Sequence, residues 1–490
     1  MHTHSDTLDP EDWDALRTQG HHMLDDMVDY LAGIRERPVW QPAPDHANQA
    51  FREPLPSGAG SIAQAHDTFM NEILPYAVGN AHPGFFGWVH GGGTAVGMLA
   101  EMLAAGLNAN VGGRNQIPVQ VERQVVDWVR QFFGFPATAS GIFVTGTSMA
   151  NFISVLIART KTLGVESRKA GLTGARTRLT AYTSAGAHGC IAQAMEMSGL
   201  GSDALRVIPM NARFEMDTQA LQAAIRKDRD DGLTPFFVAG TAGSVNVGAV
   251  DDLAAIAAIA QENRLWFHVD GAYGALAMLA PDLAPRLKGI EQADSIAFDF
   301  HKWGQVPYDA GFVLVRDGEQ HQRSFASPAT YLRRETRGLA AGSPWPCDLG
   351  PDLSRGFRAL KAWFTLKVYG TEKLGQVISK TCRLASYLAD RIRERPELEL
   401  MAPVSLNIVC FRYRTPDADR INQEIVADIQ ESGLAAPSST TIHGHLAIRV
   451  AIVNHRSQEQ DIDALLSAVM RFGEKRKVEP ERWQGVGDAG

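Results

Sequence analysis

The sequence predicts an α/β fold. The expected architecture is a mostly parallel sheet with helices on both faces, plus an N-terminal arm and a small C-terminal α+β domain. Three observations carry this. Six short apolar runs alternate with helical stretches between residues 82 and 318. A second, smaller alternation follows after residue 358. The first eighty residues hold one amphipathic stripe and a proline-rich stretch, too little for a core of their own.

The elements follow in order. Within 11–36, Leu16, Met23, Met27, Tyr30 and Leu31 recur at spacings of three, four and seven, which predicts a helix. PVWQPAPDHANQAFREPLPSG then reads as an extended strap. GIFVTG (141–146), LTAYTS (179–184), FFVAGTA (236–242), LWFHVD (265–270), DSIAFD (294–299) and GFVLVRD (311–317) read as strands, with helices such as 251–263 between them. Too little chain separates Asp299 from Gly311 for a helical crossover, so the last strand is expected to return antiparallel. Residues 320–357 read as loop, and helix resumes at FRALKAWFTLKVYG. Strands near 405–412 and 445–453 and a helix at 458–472 complete the small unit. The expected divisions are an arm at 1–81, a large domain at 82–365, a small domain at 366–475 and a loose tail at 476–490.

Composition narrows the function. Hydrophobic residues make up 45% and charged residues 21%, the mix of a soluble globular protein. Lys and Arg number 47 against 55 Asp and Glu, a net charge of −8, so no basic footprint for nucleic acid is present. No apolar run reaches the roughly 18 residues of a membrane span. Four cysteines (Cys190, Cys347, Cys382, Cys410) show no C-x-x-C spacing, and a cytoplasmic location is expected.

In open α/β sheets ligands bind beyond the carboxyl ends of the strands. There the sequence places Gly146-Thr147-Ser148, His188, Asp270 and His301-Lys302-Trp303. A small hydroxyl-rich turn opening a helix offers an anion site, although it also reads as an ordinary helix cap. A carboxylate ending an apolar strand needs a partner: it can cap a helix, serve as a structural acceptor or face a cationic ring nitrogen. A lysine between a histidine and an aromatic residue is a candidate amine nucleophile for Schiff-base chemistry.

HPGFFGW (82–88), FHVDGAYGA (267–275), DSIAFDFHKW (294–303) and LSRGFRALKAW (353–363) resemble the pyridoxal-phosphate-dependent group II amino-acid decarboxylases, such as aromatic-L-amino-acid decarboxylase. The resemblance runs nearly the whole chain and implies the aspartate-aminotransferase-like fold (PLP fold type I). It implies pyridoxal 5′-phosphate held by Lys302, with Asp270 at the pyridine nitrogen and His188 and Ala272 on the two ring faces. Thr147, Ser148 and His301 would bind phosphate, and Thr241 would lie near Asp270. Phe85, Phe86, Trp88, Val89 and His90 align with the region that lines the substrate side chain, and Arg449 with an arginine that can contact a substrate carboxylate. It further implies a homodimer with exchanged N-terminal arms and active sites at the interface. The expected reaction is decarboxylation of an L-amino acid, aromatic in preference to glutamate, to an amine and CO2.

Two departures stand out. Family decarboxylases carry a tyrosine in the loop before LSRGFRALK, thought to protonate Cα. Here ETRGLAAGSPWPCDLGPDLS has none; Leu349 or a neighbour takes its place, Trp345 is the one aromatic residue, and Tyr331 does not match. Decarboxylation coupled to oxidative deamination, giving an aldehyde, is therefore the alternative outcome. Asp299 stands where some relatives have asparagine; a carboxylate there repels a phosphate dianion, so it must point away or pair elsewhere. A reading from another class takes Gly146-Thr147-Ser148-Met149-Ala150 as a nucleophile elbow with Ser148 as an acyl-transfer nucleophile. It leaves both HKW and FHVDGAYGA unexplained.

Overall fold

The structure, a computed structural model, describes residues 7–172, 177–326, 335–342 and 344–478. A seven-stranded sheet is built from β1 (Ser140–Val144), β2 (Leu179–Ser184), β3 (Leu205–Ile208), β4 (Thr234–Thr241), β5 (Trp266–Asp270), β6 (Ser295–Asp299) and β7 (Gly311–Val315). Its spatial order is β1-β7-β6-β5-β4-β2-β3. β7 runs antiparallel to both β6 and β1, as the short 299–311 connection predicts, and the other pairings are parallel.

Side chains alternate across a strand, and here both directions meet a core. Phe143, Phe267, Phe312 and Leu314 pack on one face with Val125, Leu221 and Ile256 of the flanking helices. Ile142, Val144, Trp266, Val313 and Val315 pack on the other with Ile153 and Ile157 of the Thr147–Leu163 helix. A sheet buried on both faces reads as continuous apolar runs, which is why its strands are visible in the sequence.

The second sheet holds β8 (Leu398–Leu400), β9 (Ile408–Tyr413), β10 (Ser438–Ile442) and β11 (His445–Ala451) in the order β10-β11-β9-β8, all antiparallel. Leu384 and Leu388 of the Arg358–Arg393 helix, Ile425 of Ala418–Glu431 and Leu465 of Glu459–Val478 cover it. The long helix is broken at Gly370, whose φ of 70° leaves the helical region.

Several expectations need correction. β3 (LRVI) is an addition: it is a four-residue strand at the sheet margin, and Arg206 breaks its apolar run. β8 (LEL) and β10 (SSTTI) are further additions, the one short and the other polar. The strap contains a helix at Asp45–Ala50, and a capping box of Ser61 and Gln64 starts another at Ile62–Thr68. The expected 320–357 loop begins with a helix, Gly318–Phe325, capped by the Asp317 side chain. The first helix spans Trp13–Ala32, followed by a 3-10 turn at 34–36. None of its residues is buried, so its apolar stripe lacks a full covering surface. No helix among the described residues is long and apolar enough to cross a membrane.

Candidate active site

The carboxyl ends of β1, β2, β4, β5 and β6 converge on a cavity of about 420 Å³. Thr147, Ser148, His188, Thr241, Asp270, Ala272, His301 and Lys302 line it, joined by Trp88, Val89 and His90 from the segment before the Ala95–Leu107 helix. The cavity thus gathers every expected site residue except Phe85, Phe86 and Arg449. Parallel register alone sets one pair: Thr241 of β4 lies opposite Asp270 of β5.

Asp270 is buried, and burial pushes its carboxyl above the usual range; Lys302, the Ala272 N–H, Asn151 and His188 oppose that shift. Its Oδ1 accepts from the Ala272 N–H (3.1 Å) and its Oδ2 from Asn151 Nδ2 (3.0 Å). The Cys190 thiol also points at Oδ2, 3.8 Å away.

Opposite lies the start of the Thr147–Leu163 helix, capped by Gly146 with no side-chain hydrogen bond. The Thr147 and Thr241 hydroxyls are buried without a hydrogen-bond partner. Such an orphan costs about 1–3 kcal/mol, so ligand oxygens fit here. His301 Nδ1 accepts from the Ala310 N–H at 2.9 Å, which leaves the proton on Nε2, 3.6 Å from Asp299 Oδ2. Burial holds that ring neutral, with its pKa down to about 4. Asp299 does not point away. Its Oδ1 accepts from the Thr147 N–H (2.7 Å) and its Oδ2 pairs with Lys302 Nζ (2.9 Å), so its charge is paired inside the site. Unpartnered hydroxyls, a helix start, a lysine and a buried carboxylate on the opposite wall suit a phosphorylated pyridine aldehyde.

The remaining wall is aromatic. Trp88, His90 and Phe85 form a three-ring cluster: His90 lies 5.6 Å from Trp88 and 5.7 Å from Phe85, which are 6.2 Å from each other. A Cβ on Gly91 would collide with the carbonyls of His301 and Lys302, so glycine lets His90 sit beside the lysine. Phe85 is buried behind His90 with Val39 and Ala436, and Phe86 belongs to the small-sheet core. Arg449 is buried outside the cavity lining, donating to the carbonyls of Trp88 (3.0 Å), Val245 and Asn246. It ties together two wall segments, a structural use that its sequence context did not announce.

Tyr308, Tyr273, Cys190 and Val245 line the cavity unforeseen. Tyr308 was findable: the connection from β6 to β7 is too short to leave the rim. Its ring lies 4.2 Å from that of His301. The expected loop substitutes are elsewhere. Trp345 is buried against Gly113 and donates to the Ala341 carbonyl, Leu349 lies outside the cavity lining, and Tyr331 lies outside the described residues.

The geometry disfavours an acyl-transfer serine. A base for Ser148 needs an unprotonated Nε2. His301 and His188 each accept a backbone N–H at Nδ1, from Ala310 and Cys190, so in neither ring is Nε2 the unprotonated nitrogen.

A mostly parallel sheet with a rim lysine, a buried acid, a helix start and unpartnered hydroxyls fits a pyridoxal-phosphate enzyme. The chain matches the pyridoxal-dependent decarboxylase conserved domain over residues 44–414 and belongs to that family of amino-acid decarboxylases. It is similar to the aromatic-L-amino-acid decarboxylase of Bacillus atrophaeus, 28% identical over 476 residues that cover 95% of this chain and 97% of the relative. It is also similar to a phenylacetaldehyde synthase of Arabidopsis thaliana, 28% identical over 475 residues, covering 93% and 95%. The solved structure of Oryza sativa TDC with PLP and tryptamine superposes with a TM-score of 0.86 at 24% identity, covering 96% of this chain and 99% of that one, which supports the fold.

Proposed function

We propose that the protein removes the α-carboxylate of an aromatic L-amino acid, releasing CO2 and the amine. The observation that carries the substrate class is the wall of Trp88, Val89 and His90. Among the described residues lining the cavity, Lys302 is the one lysine or arginine, and its amine is committed to the cofactor, leaving none to receive a second carboxylate. Burial and Lys302 push the His90 pKa down, so that ring too presents a neutral face.

When bound, pyridoxal phosphate supplies an aldehyde that condenses with amines and a ring that accepts an electron pair. Lys302 Nζ is the resident amine. Asp270 would hold a proton at the ring nitrogen, and His188 and Ala272 would flank the ring. Thr147, Ser148 and His301 Nε2–H would bind the phosphate. Trp88, Val89 and His90 would contact the substrate side chain, with Trp88, half-exposed here, at the outer edge of that wall.

Proton return to Cα is the open step. The loop offers no phenol, but the wall offers two protons: His188 Nε2–H and the Tyr308 hydroxyl, which burial keeps protonated. If neither delivers quickly, dioxygen competes. Dioxygen and water are then consumed, and aldehyde, ammonia and hydrogen peroxide leave with the CO2. Parallel aerobic and anaerobic assays on L-tryptophan, L-phenylalanine and L-DOPA, read by mass spectrometry with oxygen and peroxide monitored, test both points. Oxygen uptake and aldehyde are expected alongside or instead of amine. Stoichiometric amine in both, without peroxide, would show a plain decarboxylase; no turnover of any aromatic substrate would overturn the substrate class.

The working form is a homodimer, in the cytoplasm, with arm 1–81 exchanged over bodies 82–365 and 366–475. Leu99, Met102, Leu103 and Leu107 leave an exposed apolar face on the Ala95–Leu107 helix, and the arm helix buries none of its residues. Monomers rarely leave such patches uncovered. Deleting residues 1–80 is expected to abolish the active dimer. Light scattering that finds a soluble, active, monomeric truncation would refute the exchange.

A further inference from the structure

Behind Asp270 runs a buried polar chain. Asn151, on the Thr147–Leu163 helix, and His268, in β5, are both fully buried, as is Ser295 in β6. Asn151 Nδ2 donates to Asp270 Oδ2 (3.0 Å), which fixes the direction of the amide. Its Oδ1 must then accept from His268 Nε2–H (2.8 Å). His268, with its pKa pushed down to about 3 by burial, is neutral, so its Nδ1 carries no proton. Nδ1 accepts from the Ser295 hydroxyl (2.8 Å), whose oxygen in turn accepts from Trp266 Nε1–H (2.8 Å). One proton arrangement satisfies every member. All four donors point the same way, from Trp266 through Ser295, His268 and Asn151 to Asp270.

We propose that this one-directional relay, with His268 and Asn151 as positioning residues, keeps Asp270 ionised so that the proton between it and the cofactor stays on the ring nitrogen. The inference rests on the pyridoxal-phosphate reading of the site. Burial favours the neutral acid, and with a neutral Asp270 the proton would leave the ring nitrogen. A donor aimed at Oδ2 favours the carboxylate, and aligned hydrogen bonds polarise one another in a low dielectric. None of Asn151, His268, Ser295 and Trp266 lines the cavity; the chain reaches it at Asp270 and at Cys190, whose Sγ lies 3.1 Å from Asn151 Nδ2 and whose thiol points at Asp270 Oδ2. A merely structural network would hold the Thr147–Leu163 helix against β5 and leave the ring proton alone.

The test replaces His268 with phenylalanine, which keeps an aromatic ring against Phe237 (5.6 Å from His268) but removes both nitrogens. His268→Gln keeps a donor and an acceptor and serves as the rescue. The holoenzymes are loaded with pyridoxal phosphate labelled with 15N in the ring. The 15N chemical shift reports ring protonation, independently of turnover. In His268→Phe the resonance is expected to move toward the unprotonated position. Affinity for added pyridoxal phosphate should fall about tenfold, and kcat should drop with KM nearly unchanged. His268→Gln should recover most of all three.

A folded His268→Phe holoenzyme with the wild-type 15N shift and cofactor affinity would overturn the relay. So would equal loss in both variants, which marks a packing role. If His268→Phe does not fold, Ser295→Ala cuts the chain one link further out and should give the same shift, smaller. A wild-type shift in Ser295→Ala would then overturn the relay. A wild type that forms no borohydride-reducible adduct with pyridoxal phosphate would instead sink the functional reading beneath it.

Discussion

Lys302→Ala is expected to abolish turnover and the covalent attachment of the cofactor while leaving the fold intact. Lys302 follows β6 at the sheet rim, and its Nζ faces the cavity against Asp299 Oδ2. No other lysine lines that cavity among the described residues, so no neighbour can replace the amine. The phosphate contacts proposed above do not depend on it, since the Thr147 and Ser148 hydroxyls and His301 Nε2–H remain. Pyridoxal phosphate should therefore bind the variant without forming a bond. Asp299 loses its ammonium partner but keeps the Thr147 N–H, so some loss of thermal stability is expected. Borohydride reduction followed by intact-mass measurement reads the attachment directly. An adduct on the variant chain, or wild-type turnover, would remove Lys302 from its role.

Asp270→Asn is expected to keep the cofactor attached and slow decarboxylation on the order of 100-fold or more, the usual effect of losing one preorganised electrostatic partner. The substitution is nearly isosteric. The amide oxygen it introduces can still accept from Asn151 or from the Ala272 N–H, so the fold should hold. The negative charge is what disappears. A neutral amide cannot hold a proton on a pyridine nitrogen, and electron withdrawal by the ring weakens. Rates at saturating substrate, normalised to bound cofactor by absorbance, measure this. A variant within a few-fold of wild type would mean that Asp270 does not act as the ring's counter-charge.

The large sheet was legible because both its faces are dry. GIFVTG, LWFHVD and DSIAFD stand out as apolar runs, and the polar residues at their ends fall on the rim. Asp270 and Lys302 were visible for that reason: each interrupts an apolar context where a charge needs a purpose. β3 and β10 were not, because Arg206 and the threonines of SSTTI look like loop. Phe85 and Arg449 show a different limit. The sequence placed them near the site, but only the three-dimensional packing shows that Phe85 backs His90 and that Arg449 spends its donors on main-chain carbonyls. The Asn151–His268 contact was invisible because its residues lie on separate elements and neither stands at a strand end.

The strand order carries a consequence for how the protein assembles. β1 and β7 are far apart in sequence yet paired side by side, Ser140 opposite Val315. The turn at Thr147 meets Asp299 only once β7 has slotted between β1 and β6. Closing so long a loop carries an entropic cost that a local pairing does not. A half-folded chain therefore has the lysine and the helix start but not the site between them. The cofactor can recognise only the finished sheet, and a ligand that binds the native state alone adds stability by mass action, about 2.7 kcal/mol at a hundredfold excess over its dissociation constant. The vitamin supply of the cell thus becomes a term in how much of this enzyme stays folded.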